Sequence, residues 1–255
     1  MIEIVKIEKK PFTTIQYQSS GREGPRHMFL PFFYAEASGL PEGLNTIVAT
    51  SDLQGRVDGQ LLGYKLIEKL LMLQKCEGHI DLLLLAGDLY DDESLKKLGA
   101  TGPVTNLLNA FALNFDCVIA AHGNHDEVQA DKLNSSLIVL DGEVGNLMGL
   151  KVGGVCGVIG KPTKNQRKSP DVFFKAFDRV ISKSDLIVMH QSPRGESPGQ
   201  KGDEHTAEIM RNKGHSLIVS GHCNWGESHI SLMGRNQILN VDSKVIVIKR
   251  AKKRT

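Results

Sequence analysis

Five short apolar runs, each cut off by glycine, aspartate, asparagine or histidine, restrict this chain to a few architectures. They are Ile47–Ala49, Leu82–Ala86, Val118–Ala121, Leu186–Met189 and Leu217–Ser220. Runs this short and this continuous are strands buried on both faces, which requires a cover on each side of the sheet. The cover is written between them. "GYKLIEKLLMLQK", "PVTNLLNAFALN" and "DVFFKAFDRVISK" repeat apolar residues at helical spacing, and Pro170 stands where the first turn of a helix tolerates it. Further strands are expected at "SLIVL" and "LKVGGVCGVIG", and near the end at "HISLM", "NQILNV" and "KVIVIKR". The expected fold class is α/β: two packed mixed β-sheets with helices on their outer faces, in one domain over residues 1–255. Residues 1–44 read as an N-terminal extension made of a strand pair and a long connection.

Bulk properties narrow the function classes. The 255 residues are 40% hydrophobic and 24% charged, with a formal net charge of +2. Such a balance is ordinary for a globular protein. It argues against a chain coated for long nucleic acids, and only the basic end "KRAKKRT" points towards them. The four cysteines, Cys76, Cys117, Cys156 and Cys223, are widely spaced with no C-x-x-C pair. Reduced thiols and a cytoplasmic setting are expected. The start "MIEIVKIEKK" alternates like a strand and not like a signal peptide. No apolar run reaches the ~18 residues of a membrane span. The oligomeric state has no signature.

The chemistry lies where the buried runs stop. The first ends at Asp52 and Gln54, the second at Gly87-Asp88 with Asp91 beyond, and the third at Gly123-Asn124-His125-Asp126. The fourth ends at His190, and the fifth at Gly221-His222 with Asn224 next but one. Ligands of α/β sheets gather outside the carboxyl ends of strands. Five successive ends carrying Asp, Gln, Asp, Asn, His, His and Asn to one rim form a metal cluster, with the adjacent glycines allowing sharp turns. His79, His205, His215 and His229 fall at element edges, where they are expected to face solvent or cap turns. His122 reads as a wall residue, and alternation turns Cys223 away from the rim.

In order and spacing the segments "DLQG", "GDLYD", "GNHDE", "MHQSP" and "GHCNWG" resemble the motifs of the calcineurin-like metallophosphoesterases, over about residues 46–226. Those motifs run Asp-x-His, Gly-Asp-x-x-Asp, Gly-Asn-His-Asp/Glu, a lone His and Gly-His-x-His. The resemblance implies two metal ions bridged by Asp88. One is held also by Asp52, Gln54 and Asn224, the other by Asn124, His190 and His222. It implies that His125 stands over the scissile phosphate without binding metal, and that Asp91 orients it. A bridging hydroxide is expected to attack phosphorus while His125 assists the leaving oxygen. Arg56 and Arg194 follow two of the motifs closely enough to be expected on phosphate oxygens. Lys164, Arg167 and Lys168 lie in a polar loop that reads as solvated.

Gln54 and Asn224 depart from the family pattern, and both fall on the same site. Two imidazoles become two amides, while Asp52 and Asp88 are kept. Oxygen donors alone favour Mn²⁺ or Mg²⁺ there, and the imidazole-bearing site suits a transition metal such as Mn²⁺, Fe or Zn²⁺. The expected function is metal-dependent hydrolysis of a phosphate mono- or diester of a small molecule, for example a nucleotide. The alternatives are a non-catalytic scaffold or protein-binding member of the fold, and a nuclease.

Overall fold

A computed structural model describes residues 2–252. The larger of its two main sheets has ten strands. The longer ones are β1 (Glu3–Ile7), β2 (Thr13–Ser19), β3 (Arg26–Ser38), β4 (Thr46–Ser51), β5 (Leu82–Leu85), β6 (Val118–Ala120) and β7 (Leu137–Val139). The second sheet contains β8 (Glu143–Leu147), β9 (Leu150–Val155), β10 (Leu186–Met189), β11 (Leu217–Ser220), β12 (Ile230–Met233) and β13 (Asn236–Asn240). The last strand, β14 (Lys244–Arg250), returns to the first sheet. Its order there is β7-β6-β5-β4-β14-β3-β2, and β1 pairs with the far half of β3. The second sheet runs β8-β9-β10-β11-β13-β12.

Side-chain alternation in the apolar runs builds three layers of core. In β5, Leu82 and Leu84 face the second sheet, where they meet Val152, Leu186, Val188 and Val219. Leu83 and Leu85 point the other way, towards α1 (Leu62–Glu77) and α2 (Thr105–Asn114). In β10, Leu186 and Val188 join the inter-sheet core, while Ile187 and Met189 pack under α3 (Pro170–Ile181) and α4 (Glu204–Asn212). The result is a helix–sheet–sheet–helix sandwich. Since each central strand feeds two cores, a one-residue slip would exchange both sets, so the pattern fixes register strongly. Register in turn fixes which residue follows each strand at the rim.

Several elements differ from the expectations above. Residues 2–44 contain three strands, and β3 is 13 residues long and pairs with β14 inside the large sheet. Pro31 argues against a central strand in sequence, because it lacks an N–H. The ladder with β14 begins at Phe32, just past it, so no bond of that ladder is lost. Helix α2 starts at Thr105, because Gly102–Pro103 instead pairs with Asp126–Glu127. Helix α4 escapes a periodicity search, since its nine residues bury only Thr206, Ala207 and Met210. Its start is set by Asp203, whose carboxylate accepts the Thr206 N–H at 2.7 Å. Within the basic end, the Arg250 guanidinium is spent on the carbonyls of Leu40, Pro41 and Leu44, and residues 253–255 lie outside the described part. No described helix is long and apolar enough to cross a membrane.

Candidate metal centre

The strands of the two sheets end on one rim, and side-chain bonds tie the rims together. His190, fully buried after β10, places Nδ1 2.7 Å from the Ala86 carbonyl of the other sheet. The His222 N–H, after β11, donates to Asp52 Oδ2 at 2.9 Å. Ser51 Oγ donates to the same carboxylate oxygen. Asp88, His190 and His222 each offer a ligand atom, and these atoms lie within 4.8 Å of one another. His190 Nε2 is 3.1 Å from Asp88 Oδ2, and the two imidazole centroids are 5.0 Å apart.

The backbone is held in costly conformations to make this arrangement. Asp52, Asp88 and His222 have φ of 54°, 55° and 67°. Each left-handed non-glycine residue costs about 1–2 kcal/mol. At Gly123 a Cβ would overlap the Asp88 carboxylate, and at Gly221 it would overlap Ser51 Oγ and Asp52 Oδ2. Those two glycines are required by close approach to the cluster, and they leave a cradle around it.

The cluster is rich in buried carboxylate and short of positive charge. Burial, then the nearby Asp242 carboxylate, drives Asp52 well above the usual carboxylate range. Burial also pushes Asp88 up, but His190 and then His125 outweigh it and hold Asp88 low, at about 2. Burial disfavours a proton on His190, yet Asp88 and then Asp52 reverse this and raise the ring. Burial, followed by the charge on His190, lowers His222 to about 4 and keeps it a neutral ring with a lone pair to give. Of the buried polar atoms without a hydrogen-bond partner among the described residues, Asn124 Oδ1 and His190 Nε2 belong to expected metal ligands, and the latter faces Asp88 Oδ2 at 3.1 Å. A hydrogen bond from His190 Nδ1 to Ala86 directs the Nε2 lone pair at the Asp88 carboxylate. That contact is repulsive unless a cation or proton sits between them. The residues therefore fit a divalent cation.

Asp126 closes the third run in the sequence, where nothing assigned it a role. It is 1% exposed, and its two oxygens accept the N–H groups of Asp88 (2.8 Å), Gly123 (2.9 Å) and Leu89 (2.7 Å). It locks the Asp88 loop to the Asn124 loop, a positioning role signalled only by its place after "GNH".

The remaining expected residues separate into near and far. Gln54 is half-buried beside Asp52 with no described side-chain bond. Asn224 is exposed: its Oδ1 accepts the Gly226 N–H at 2.7 Å and its amide donates to Asp242 Oδ1 at 3.0 Å. Asn224 Oδ1 thus holds Gly226 with one lone pair and has one left to offer. The expected role of Asp91 is corrected. Its carboxylate accepts the N–H groups of Ser20 and Asp92, and His125 Nδ1 instead meets the Ala100 carbonyl at 3.0 Å. His125 remains near the centre, its N–H on Asp88 Oδ1 at 2.9 Å and its Nε2 3.8 Å from Asp88 Oδ2.

Of the two expected arginines, Arg56 is not free for phosphate. Arg56 is buried, and its guanidinium donates to the carbonyls of Asp91, Asp92 and Gly59 at 2.7–3.2 Å. Arg194 is exposed and paired with Glu204 at 3.0 Å. Arg56 is thus a staple between two loops of the rim. Arg56→Ala leaves three carbonyls without their donor and is expected to lower stability by roughly 2–4 kcal/mol. Urea unfolding measures this, and an unchanged midpoint would remove the staple.

Residues 46–223 match the model of a protein family described as calcineurin-like phosphoesterase. A comparison with curated proteins gave no match.

Proposed function

Because this chain belongs to the calcineurin-like phosphoesterase family, we propose that its rim cluster is a dinuclear centre that hydrolyses a phosphate ester of a small molecule. The observation that carries this is the convergence of Asp88, His190 and His222, with Asn124 Oδ1 and His190 Nε2 buried and unpartnered beside them. A protein-binding scaffold has no use for a buried imidazole nitrogen aimed at a carboxylate. In this reading Asp88, Asn124, His190 and His222 hold one ion, and Asp52, Gln54 and Asp88 hold the other. Bound divalent ions supply Lewis acidity towards phosphate and acidify water.

The chain's own residues do the rest. His125 is partly open to solvent, with 22% of its side chain exposed, so substrate can reach it. The Ala100 carbonyl accepts from Nδ1 and leaves Nε2 as the nitrogen turned to the centre. To donate to a leaving oxygen, Nε2 must carry a proton while Nδ1 keeps its own on the Ala100 carbonyl. Asp126 keeps the Asp88 and Asn124 loops in register while charge shifts.

Arg167 takes the phosphate-binding part expected of Arg56 and Arg194. It comes from the loop read as solvated, but Asn165 anchors that loop to the carbonyls of Asn124 and Asp126 at 3.2 and 3.0 Å. Lys168 is consumed by Asp141 and the Cys156 carbonyl. Arg167 has no carboxylate partner among the described residues, is half-buried, and lies near enough for its charge to act on His222. Arg167→Met is expected to raise KM roughly tenfold, the worth of one charge-assisted bond, with kcat changed less. A KM within twofold of wild type would exclude that part.

The direct test is hydrolysis of p-nitrophenyl phosphate and bis(p-nitrophenyl) phosphate. Chelator-stripped protein should be inactive and regain activity on adding Mn²⁺ or Mg²⁺. No hydrolysis of either ester with Mg²⁺, Mn²⁺, Zn²⁺ or Ni²⁺ would overturn the reading.

A further inference from the structure

A sixth strand end meets the rim beside the five that the sequence marks. Strand β13 finishes at Asn240, and Val241-Asp242-Ser243 carry the chain across to β14 in the other sheet. The crossing is clamped from both sides. The Val241 N–H donates to the Ser220 carbonyl at 2.9 Å, and the Ser243 N–H donates to the Ser51 carbonyl at 3.1 Å. Ser220 and Ser51 are the last residues of β11 and β4, the strands that deliver His222 and Asp52. Asp242 lies between these two bonds and pairs with Ser51 as an isolated parallel bridge. Main-chain bonds thus place it beside Asp52.

Asp242 is 6% exposed, and a carboxylate buried this far needs donors or a cation. Its Oδ1 accepts the Ser243 hydroxyl at 2.8 Å and the Asn224 amide N–H at 3.0 Å. Both donors are neutral, and no ion pair among the described residues includes Asp242. The bond to Asn224 has the further consequence. An amide presents a donor end and an acceptor end of nearly the same shape, and an ionised carboxylate only accepts. Asp242 therefore takes the Nδ2 end. It leaves Oδ1 with one lone pair on the Gly226 N–H and one to spare. A hydrogen bond from the amide N–H to a carboxylate also pushes electron density onto the amide oxygen, which makes a poor metal donor a better one.

We propose that Asp242 is a positioning residue for the oxygen-donor metal site: it holds the Asn224 amide with its oxygen as the donor end and adds a negative charge beside the ion that Asp52 binds. Asp242 and Asn224 both lie beyond the matched residues 46–223, so the family match does not reach the pair. The assignment rests on the dinuclear reading above and deepens it.

The test is calorimetric titration of the chelator-stripped full chain with Mn²⁺, which reads binding and not turnover. Asp242→Asn keeps the size of the side chain and an oxygen for Ser243 and Asn224, and removes the charge. The weaker Mn²⁺ equivalent should loosen by roughly 10- to 100-fold, the usual cost of losing the partner of a metal ligand. The tighter equivalent, held by Asn124, His190 and His222, should stay within about threefold of wild type. Asn224→Ala should loosen the same weaker equivalent. The two changes together should cost less than the product of their separate factors, because they cut one chain of bonds. A weaker equivalent within about twofold of wild type in both Asp242→Asn and Asp242→Ala would overturn the assignment. So would equal loosening of both equivalents, which marks a turn that merely holds the fold. Fully multiplicative effects would also overturn it, since they separate Asp242 from Asn224. A wild type that binds a single Mn²⁺ would overturn the dinuclear reading and this assignment with it. The expected pattern in a protein that hydrolyses neither test ester would overturn the phosphoesterase reading and leave Asp242 in its place at the metal.

Discussion

His125→Ala should lower kcat by roughly 10²–10⁴-fold, the usual worth of a positioned proton donor. Metal content should stay at the wild-type value. The two halves of this expectation have different physical sources. His125 approaches Asp88 through its backbone N–H at 2.9 Å, and that bond survives truncation of the ring. Its imidazole is oriented by the Ala100 carbonyl and is not one of the three groups whose ligand atoms cluster. The cradle should therefore keep its shape while the proton source disappears. Single-turnover kinetics and elemental analysis of the same sample separate the two effects. Loss of one metal equivalent would show that the ring is a ligand. A kcat within a factor of a few would show that the leaving oxygen needs no help from it.

The sequence made the rim legible because residues that follow the strands, Asp88, His190 and His222, converge there. Asp52, Asp88, Asn124, His190 and His222 stand in the loops that directly follow the apolar strands. Strand register then carries them to one edge. The roles of Asp91, Arg56 and Arg194 were not legible, because they depend on which carbonyls and N–H groups the loops turn towards each side chain. Asp91 and Arg56 meet through such a loop: the arginine donates to the Asp91 carbonyl, while the Asp91 carboxylate bonds Ser20 from the N-terminal strands. No local pattern encodes a contact across 71 positions. For the same reason Arg167 looked solvated until Asn165 was seen to pin its loop. The β3 strand was obscured by Pro31, whose cost vanishes only because the pairing with β14 starts one residue later.

The two metals should differ strongly in affinity, and Gln54 and Asn224 are the reason. The site of Asn124, His190 and His222 offers two imidazoles, one raised towards protonation by its carboxylate neighbours and one kept neutral by burial. A transition-metal ion held there would have to displace the proton from the first, and the second would already be available. The other site has Asp52, Asp88 and the half-buried Gln54 amide, and Asn224 shares its oxygen with Gly226. Oxygen donors alone hold Zn²⁺ poorly and suit Mn²⁺ or Mg²⁺. Calorimetric titration of chelator-stripped protein with Zn²⁺ should thus show one tight equivalent and one at least about tenfold weaker, the range seen when a supporting ligand interaction is lost. Activity should follow added Mn²⁺ or Mg²⁺ at the weaker site. Gln54→His with Asn224→His returns the imidazoles; it should tighten the second equivalent and shift its preference towards Zn²⁺. The Asn224 position also tests the geometry. Its present bonds to Asp242 and Gly226 must break before an imidazole there can turn inward, so Gln54→His alone should give most of the gain. Two equally tight Zn²⁺ equivalents in the wild type, unchanged in the double variant, would mean that neither amide stands at a metal.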